Sequence, residues 1–223
     1  MTMTKAARRD ARKKKKKTRH ADGWTGSAKA MAAVPPEAAR IIAMVAAIVP
    51  DVTRQMIPGV RKSRDIEGNG LCVHSCMVVG QVLRHYGIDA EMVPVTVRVA
   101  DDDNRLAIES IVVGNFAGHM VTRVRFPRLD LLIDLTLDQF SNPSHGINPP
   151  PAIVTGWDAD GMDTGMVSVD RPGRGRIDYT LRPGMDDWQT FARFDTEHEA
   201  LHRQSITEIA DVVIARLRWE GHR

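Results

Sequence analysis

Two alternating runs joined by a two-residue turn constrain the fold of this chain most. In His119-Met-Val-Thr-Arg-Val-Arg-Phe126, Met120, Thr122, Val124 and Phe126 share one mostly apolar face. His119, Val121, Arg123 and Arg125 share the other, mostly polar face. Pro127-Arg128 reads as a tight turn, and Leu131-Leu-Ile-Asp-Leu-Thr136 as a second strand. There Leu131, Ile133 and Leu135 lie opposite to Leu132, Asp134 and Thr136. A two-residue loop puts His119 and Asp134 on the same face of the hairpin as diagonal neighbours, and a small slip makes them directly opposite. Asp134 stands between Ile133 and Leu135 in an otherwise apolar strand. A carboxylate so placed needs a partner, because an uncompensated buried charge is costly.

Upstream, the turn Gly68-Asn69-Gly70 runs into Leu71-Cys72-Val-His-Ser-Cys76, the start of an apolar-periodic stretch that stops at Gly87. Glycine there is a good residue for leaving a helix. Cys72 then sits in the first helical turn, where unpaired N–H groups and the positive end of the dipole favour a thiolate. Cys76 is four residues further on the same helix face and reads as a packing residue, since a cysteine without a partner is usually core. Cysteine at a helix start, histidine on a strand and aspartate on the next strand form a nucleophile, base and orienter in series.

Gly-Leu-Cys72, Gly-His119 and Leu-Ile-Asp134-Leu-Thr-Leu-Asp-Gln-Phe140 together resemble the transglutaminase-like branch of the papain-like superfamily, over about residues 36–140. The resemblance implies Cys72 as nucleophile, His119 as general base and acid, and Asp134 as the residue that orients the imidazole. It implies a peptide, amide or acyl substrate and no cofactor or metal. The chain departs from the family in two places. The Trp that often precedes the family's histidine is Gly118 here, and the Arg-Gly-Gly-x-Cys signature of the arylamine acetyltransferases is absent. Water as acceptor would make a protease or amidase, an amine a transferase, and both stay open. Asn69 and Gln139 are candidate oxyanion donors.

A competing motif is His198-Glu199-Ala-Leu-His202. On a helix it would place two imidazoles on one face for Zn²⁺, with Glu199 as base and Glu220 as a third ligand. Two features weigh against zinc. Thr196 and Glu199 read as a capping box, which explains Glu199 structurally. The surroundings (Asp195, Glu197, Arg203) are those of a solvated face. Asp158-Ala-Asp160-Gly-Met-Asp163 lacks the final glutamate and flanking helices of a calcium loop and reads as a turn. Arg171-Pro-Gly-Arg-Gly175 lacks phosphate-loop spacing and reads as a hairpin turn.

Charge is unevenly distributed. Ten of the 31 Lys and Arg residues fall within residues 1–20, against one acid, Asp10, so the rest of the chain is mildly acidic. Residues 1–34 are therefore expected to be a disordered basic tail, with Lys5 to Arg19 a non-specific polyanion contact; the alternative is a non-catalytic domain that binds nucleic acid through this tail. Residues 35–223 are expected to form one domain. The longest apolar run, Ile41–Val49, is too short to span a membrane. No secretion signal is visible, and cysteines at i and i+4 make a poor disulfide pair, so a reducing, cytoplasmic setting is expected.

The remaining pattern predicts an α+β, papain-like or transglutaminase-like fold: helices packed on a mainly antiparallel sheet, with Cys72 against the sheet edge that carries His119 and Asp134. A helix is predicted from Pro35-Pro36 to about Val49, ended by Pro50, with a second short helix over 51–57. Strands are predicted near 90–99, 106–113, 165–170 and 176–182 beside the hairpin, with Pro94 marking an edge or bulge. The loop 141–151 is expected to cover the site, and a final helix to carry the stripe Ile206, Ile209, Val212, Val213 and Leu217.

Overall fold

The structure, a computed structural model, describes residues 24–26, 28–56, 71–110, 118–127, 129–157, 165–171, 174–181 and 196–221, with the backbone course alone at 24–26, 28, 196–202 and 221. In chain order the elements are β1 (Trp24–Gly26), α1 (Ala28–Ala32), α2 (Pro36–Met56), α3 (Leu71–His85), β2 (Ala90–Ala100) and β3 (Ala107–Glu109). Then come β4 (His119–Phe126), β5 (Leu129–Asp134), two 3₁₀ turns (Leu137–Phe140 and Pro143–His145), β6 (Ala152–Trp157), β7 (Met166–Arg171), β8 (Gly175–Leu181) and α4 (Thr196–Gly221).

The eight strands form one sheet in the order β1-β6-β5-β4-β2-β8-β7, with β3 also on β2. All pairings are antiparallel except β1 with β6. The fold is thus α+β with a mostly antiparallel sheet. Strand β2 changes partners along its length. Ala90 to Val95 pair with β4, and Val95 to Ala100 with β8. Pro94, which lacks an N–H, lies one residue outside the β8 ladder, where its missing donor breaks no ladder bond on that side.

Alternation sorts the side chains into two cores. On one face Val124, Leu131, Ile133 and Val154 pack with Ile42 and Val45 of α2, Val79 and Leu83 of α3, and Ile209 and Val213 of α4. On the other, Val97, Val121, Leu132, Ile153, Ile177 and Tyr179 pack under Leu137, Phe140 and Ile147. Trp157 of β6 and Val167 of β7, from nearly opposite ends of the strand order, share this second core, so the sheet curls around it.

Helix α3 ends as its sequence dictates. Gly87 adopts φ 72°, and Ile88 N–H donates to Leu83 O while Gly87 N–H donates to Arg84 O, both at 3.0 Å. These two bonds are a Schellman closure, sealed by Ile88 packing in the same core as Leu83.

Four expectations need correction. Pro50 does not end the second helix, because α2 runs unbroken from Pro36 to Met56. Pro50 and its neighbours Ile48, Val49, Val52 and Thr53 are buried, and packing outweighs the hydrogen bond the proline forfeits. Residues 24–26 and 28–32, assigned to the disordered tail, form β1 and α1; residues 1–23 lie outside the described residues. Strand β6 went unpredicted, because Gly156 and the preceding prolines masked its pattern. The predicted edge placement of His119 and Asp134 also fails. Strands β4 and β5 are interior, since β6 and β1 add beyond β5, and β2 and β8 beyond β4.

Candidate active site

The hairpin register is that of the two-residue loop. Phe126 faces Leu129 and Thr122 faces Ile133. Continued by one residue, this places Asp134 level with Val121, diagonal to His119 on the same face. His119 Nε2 lies 2.8 Å from Asp134 Oδ2, and both side chains are fully buried. His119 is the first residue of β4, and Gly118 before it has φ 74°. That left-handed backbone would strain a tryptophan, which accounts for the glycine at this position.

Asp134 is held from every side. Thr136 donates its N–H to Oδ1 at 3.0 Å and its hydroxyl to the same oxygen at 3.3 Å. Tyr179 donates its hydroxyl to Oδ2 at 3.1 Å. A buried carboxylate with this many donors is fixed in place.

Burial alone would lower the pKa of His119. The charge and hydrogen bond of Asp134, with a hydrogen bond and the charge of Cys72, outweigh it and push His119 up to about 10. Cys72 is the second residue of α3, 6% exposed. It lies near enough to the imidazole to raise the pKa of His119. With Nε2 taken by Asp134, Nδ1 is the remaining ring nitrogen. Gln139 Nε2 sits 3.0 Å from that same Nδ1, and Phe140 meets the ring edge-on with centroids 5.2 Å apart. An ion pair from Arg54 of α2 to Asp138 at 2.5 Å pins the 3₁₀ turn that carries both residues. Gln139, a candidate oxyanion donor by sequence, is thus engaged with the histidine.

Cys76 differs from Cys72. Burial pushes its thiol well above the usual range, offset only in part by the Thr122 hydroxyl. Both cysteines are free thiols.

Several sequence candidates fall elsewhere. Asn69 and the loop 158–163 lie outside the described residues. The backbone places His198, Glu199 and His202 on α4 with Glu220 near its far end, and the side chains of 198–202 lie outside the described residues. Arg171 and Gly175 flank the β7–β8 connection, as a hairpin turn would. Among the described residues no three His, Cys, Asp or Glu side chains group as a metal ion would need.

Sequence reasoning missed Thr136 and Tyr179. Thr136 was legible, since Asp-x-Thr is an Asx-type pattern in which a carboxylate accepts an N–H two residues on. Tyr179 was not, because only the curl of the sheet brings it to Asp134.

Comparison with protein-family models, with curated proteins and with solved structures returns no match for this chain.

Proposed function

We propose that the chain is a thiol-dependent acyl hydrolase or acyl/amide transferase, a papain-like or transglutaminase-like enzyme using Cys72, His119 and Asp134. The observation that carries this reading is the buried His119–Asp134 pair at 2.8 Å, with Cys72 close enough to the same imidazole to raise its pKa. A nucleophile, a base and an orienter in contact are what covalent acyl transfer requires.

In the first step the Cys72 sulfur attacks an acyl carbon. A C–S bond forms and the carbonyl π pair moves to oxygen, where N–H groups at the start of α3 stabilise it. Collapse returns that pair and expels the amine or alcohol, which takes its proton from the His119 imidazolium. A thioester remains. In the second step His119 takes a proton from water or an amine as that acceptor attacks, and the C–S bond breaks to regenerate the thiolate. Asp134 holds the ring in place through both steps.

The reading includes a reducing, cytoplasmic setting, which keeps both thiols reduced. It also includes a non-specific polyanion contact through Lys5 to Arg19. No helix among the described residues is long and apolar enough to cross a membrane.

The test is site-resolved alkylation with iodoacetamide at pH 7, read by peptide mass spectrometry. Cys72 should label at least about tenfold faster than Cys76, and His119→Ala should erase most of that advantage. Equal, slow labelling of both cysteines, unchanged by the substitution, would overturn the triad.

A further inference from the structure

Cys72 is nearly buried, so a substrate needs a way in. Cys72 packs with Val73, Cys76 and Met120, and Met77 and Met92 lie against this cluster. Cys76, Met77 and Met92 are also walls of a groove of about 320 Å³, which runs along α3 past Gly80 to Arg84, with Arg203 of α4 on its other bank. Residues 72, 76, 80 and 84 form one i, i+4 stripe, so the groove follows the helix face that carries Cys72.

The groove has a polarity. Cys72 is not itself a wall; one helical turn from it the walls are Cys76, Met77 and Met92, thiol and thioether, soft and apolar. Further along, Gly80 leaves space, and Arg84 folds back over it. Its Nη1 stands 3.1 Å from where a Cβ on Gly80 would be. At 1.5 Å per residue the guanidinium is therefore level with a point about 12 Å along the helix from Cys72. Among the described residues no carboxylate pairs with Arg84, whose hydrogen bond goes to the Ala90 carbonyl at 3.4 Å. Glu91, which also lines the groove, is already held by Arg125 at 2.7 Å and Arg123 at 3.5 Å.

We propose that this groove is the acyl-donor subsite serving Cys72, and that it takes an apolar segment ending in a carboxylate, bound by Arg84 about 12 Å from the reacting carbon. The inference rests on Cys72 being the nucleophile. It adds a substrate class: acyl donors with an acidic end, in place of neutral or basic ones. A guanidinium suits a carboxylate because it can donate two parallel N–H bonds to it.

Three alkylating reagents test the groove, each forming an Sγ–C bond with loss of iodide. They are iodoacetamide, N-hexyl-iodoacetamide and N-(5-carboxypentyl)-iodoacetamide, the last two of similar length. At Cys72 of the intact protein the carboxylated reagent should react about fivefold faster than the hexyl one, the range of a solvent-exposed ion pair. Arg84→Gln should bring that ratio to about one while leaving the rate with iodoacetamide unchanged. Gly80→Ala, whose new methyl meets only the movable end of Arg84, should lower the ratio in the same way. A ratio of one in the unmodified protein, or a preference that survives Arg84→Gln, would overturn the proposal. Because the ratio compares two reagents at one thiol, it reads the groove whatever the thiol's reactivity. Failure of the nucleophile itself shows separately, as an iodoacetamide rate indifferent to His119.

Discussion

At the residue scale the chemistry centres on one carboxylate. Asp134 accepts from His119, from Thr136 twice and from Tyr179. A hydrogen bond to a charged group contributes about 1.5–3 kcal/mol, more than a neutral pair. Tyr179→Phe keeps the ring and removes the donor, so it should lower the unfolding free energy by about 1.5–3 kcal/mol in a urea titration. A loss no greater than that of a surface substitution would mean that the hydroxyl contributes nothing to holding Asp134. His119 gives a pH signature. Its pKa is raised from 6.5 to about 10, so the folded state binds the proton more tightly than the unfolded chain. That stability is fully present below pH 6.5 and is lost as pH rises toward about 10. Between pH 6.5 and 9 the unfolding free energy should fall by about 1 kcal/mol per pH unit. His119→Ala should flatten this slope in denaturation curves collected across the range. At higher pH Cys76 and Tyr179, both pushed well above their ordinary values chiefly by burial, add losses of the same sign.

At the element scale, the site is made where three elements end. Helix α3 begins at Leu71, β4 begins at His119 and β5 stops at Asp134. The two strands were legible because alternation is unambiguous in an eight-residue run, and Pro127-Arg128 sets the register that makes His119 and Asp134 diagonal. Helix α3 was legible from its apolar period and from Gly87, whose positive φ is the feature a C-terminal glycine provides. Helix α2 was misread at Pro50. A proline is a strong local stop signal, but it competes with the burial of the apolar face that continues through Val52. Burial is a property of the neighbours, so local pattern could not weigh it.

At the scale of the whole molecule, curvature is what completes the site. Tyr179 on β8 and Asp134 on β5 are three strands apart, about 14 Å in a flat sheet, yet their oxygens are 3.1 Å apart. Twist and coiling close that gap, and β2, shared between β4 and β8, is where the sheet turns. The other end of the sheet is closed by β1, whose three residues pair with β6. Truncations should separate this role from that of the basic segment. Removing residues 1–20 should leave thermal stability unchanged and abolish salt-dependent retention on an anionic polymer such as heparin. Removing residues 1–26 should also strip β1, expose the edge of β6 and raise light scattering at the same concentration. Equal scattering from both truncations would show that β1 does not protect that edge.

The sequence by itself determined the alternating hairpin, the Cys72 helix with its glycine stop, and the diagonal placing of His119 and Asp134. All of these are set by steric preferences and by periodicities of two and 3.6 residues, which act within a few positions of each other. Only the tertiary structure decided that β4 and β5 lie inside the sheet, that Pro50 stays within a helix, and that Tyr179 reaches Asp134. It also decided that Arg84 folds over Gly80 along the stripe behind Cys72. These depend on burial and sheet curl, which are summed over the whole chain and leave no local mark in the order of its residues.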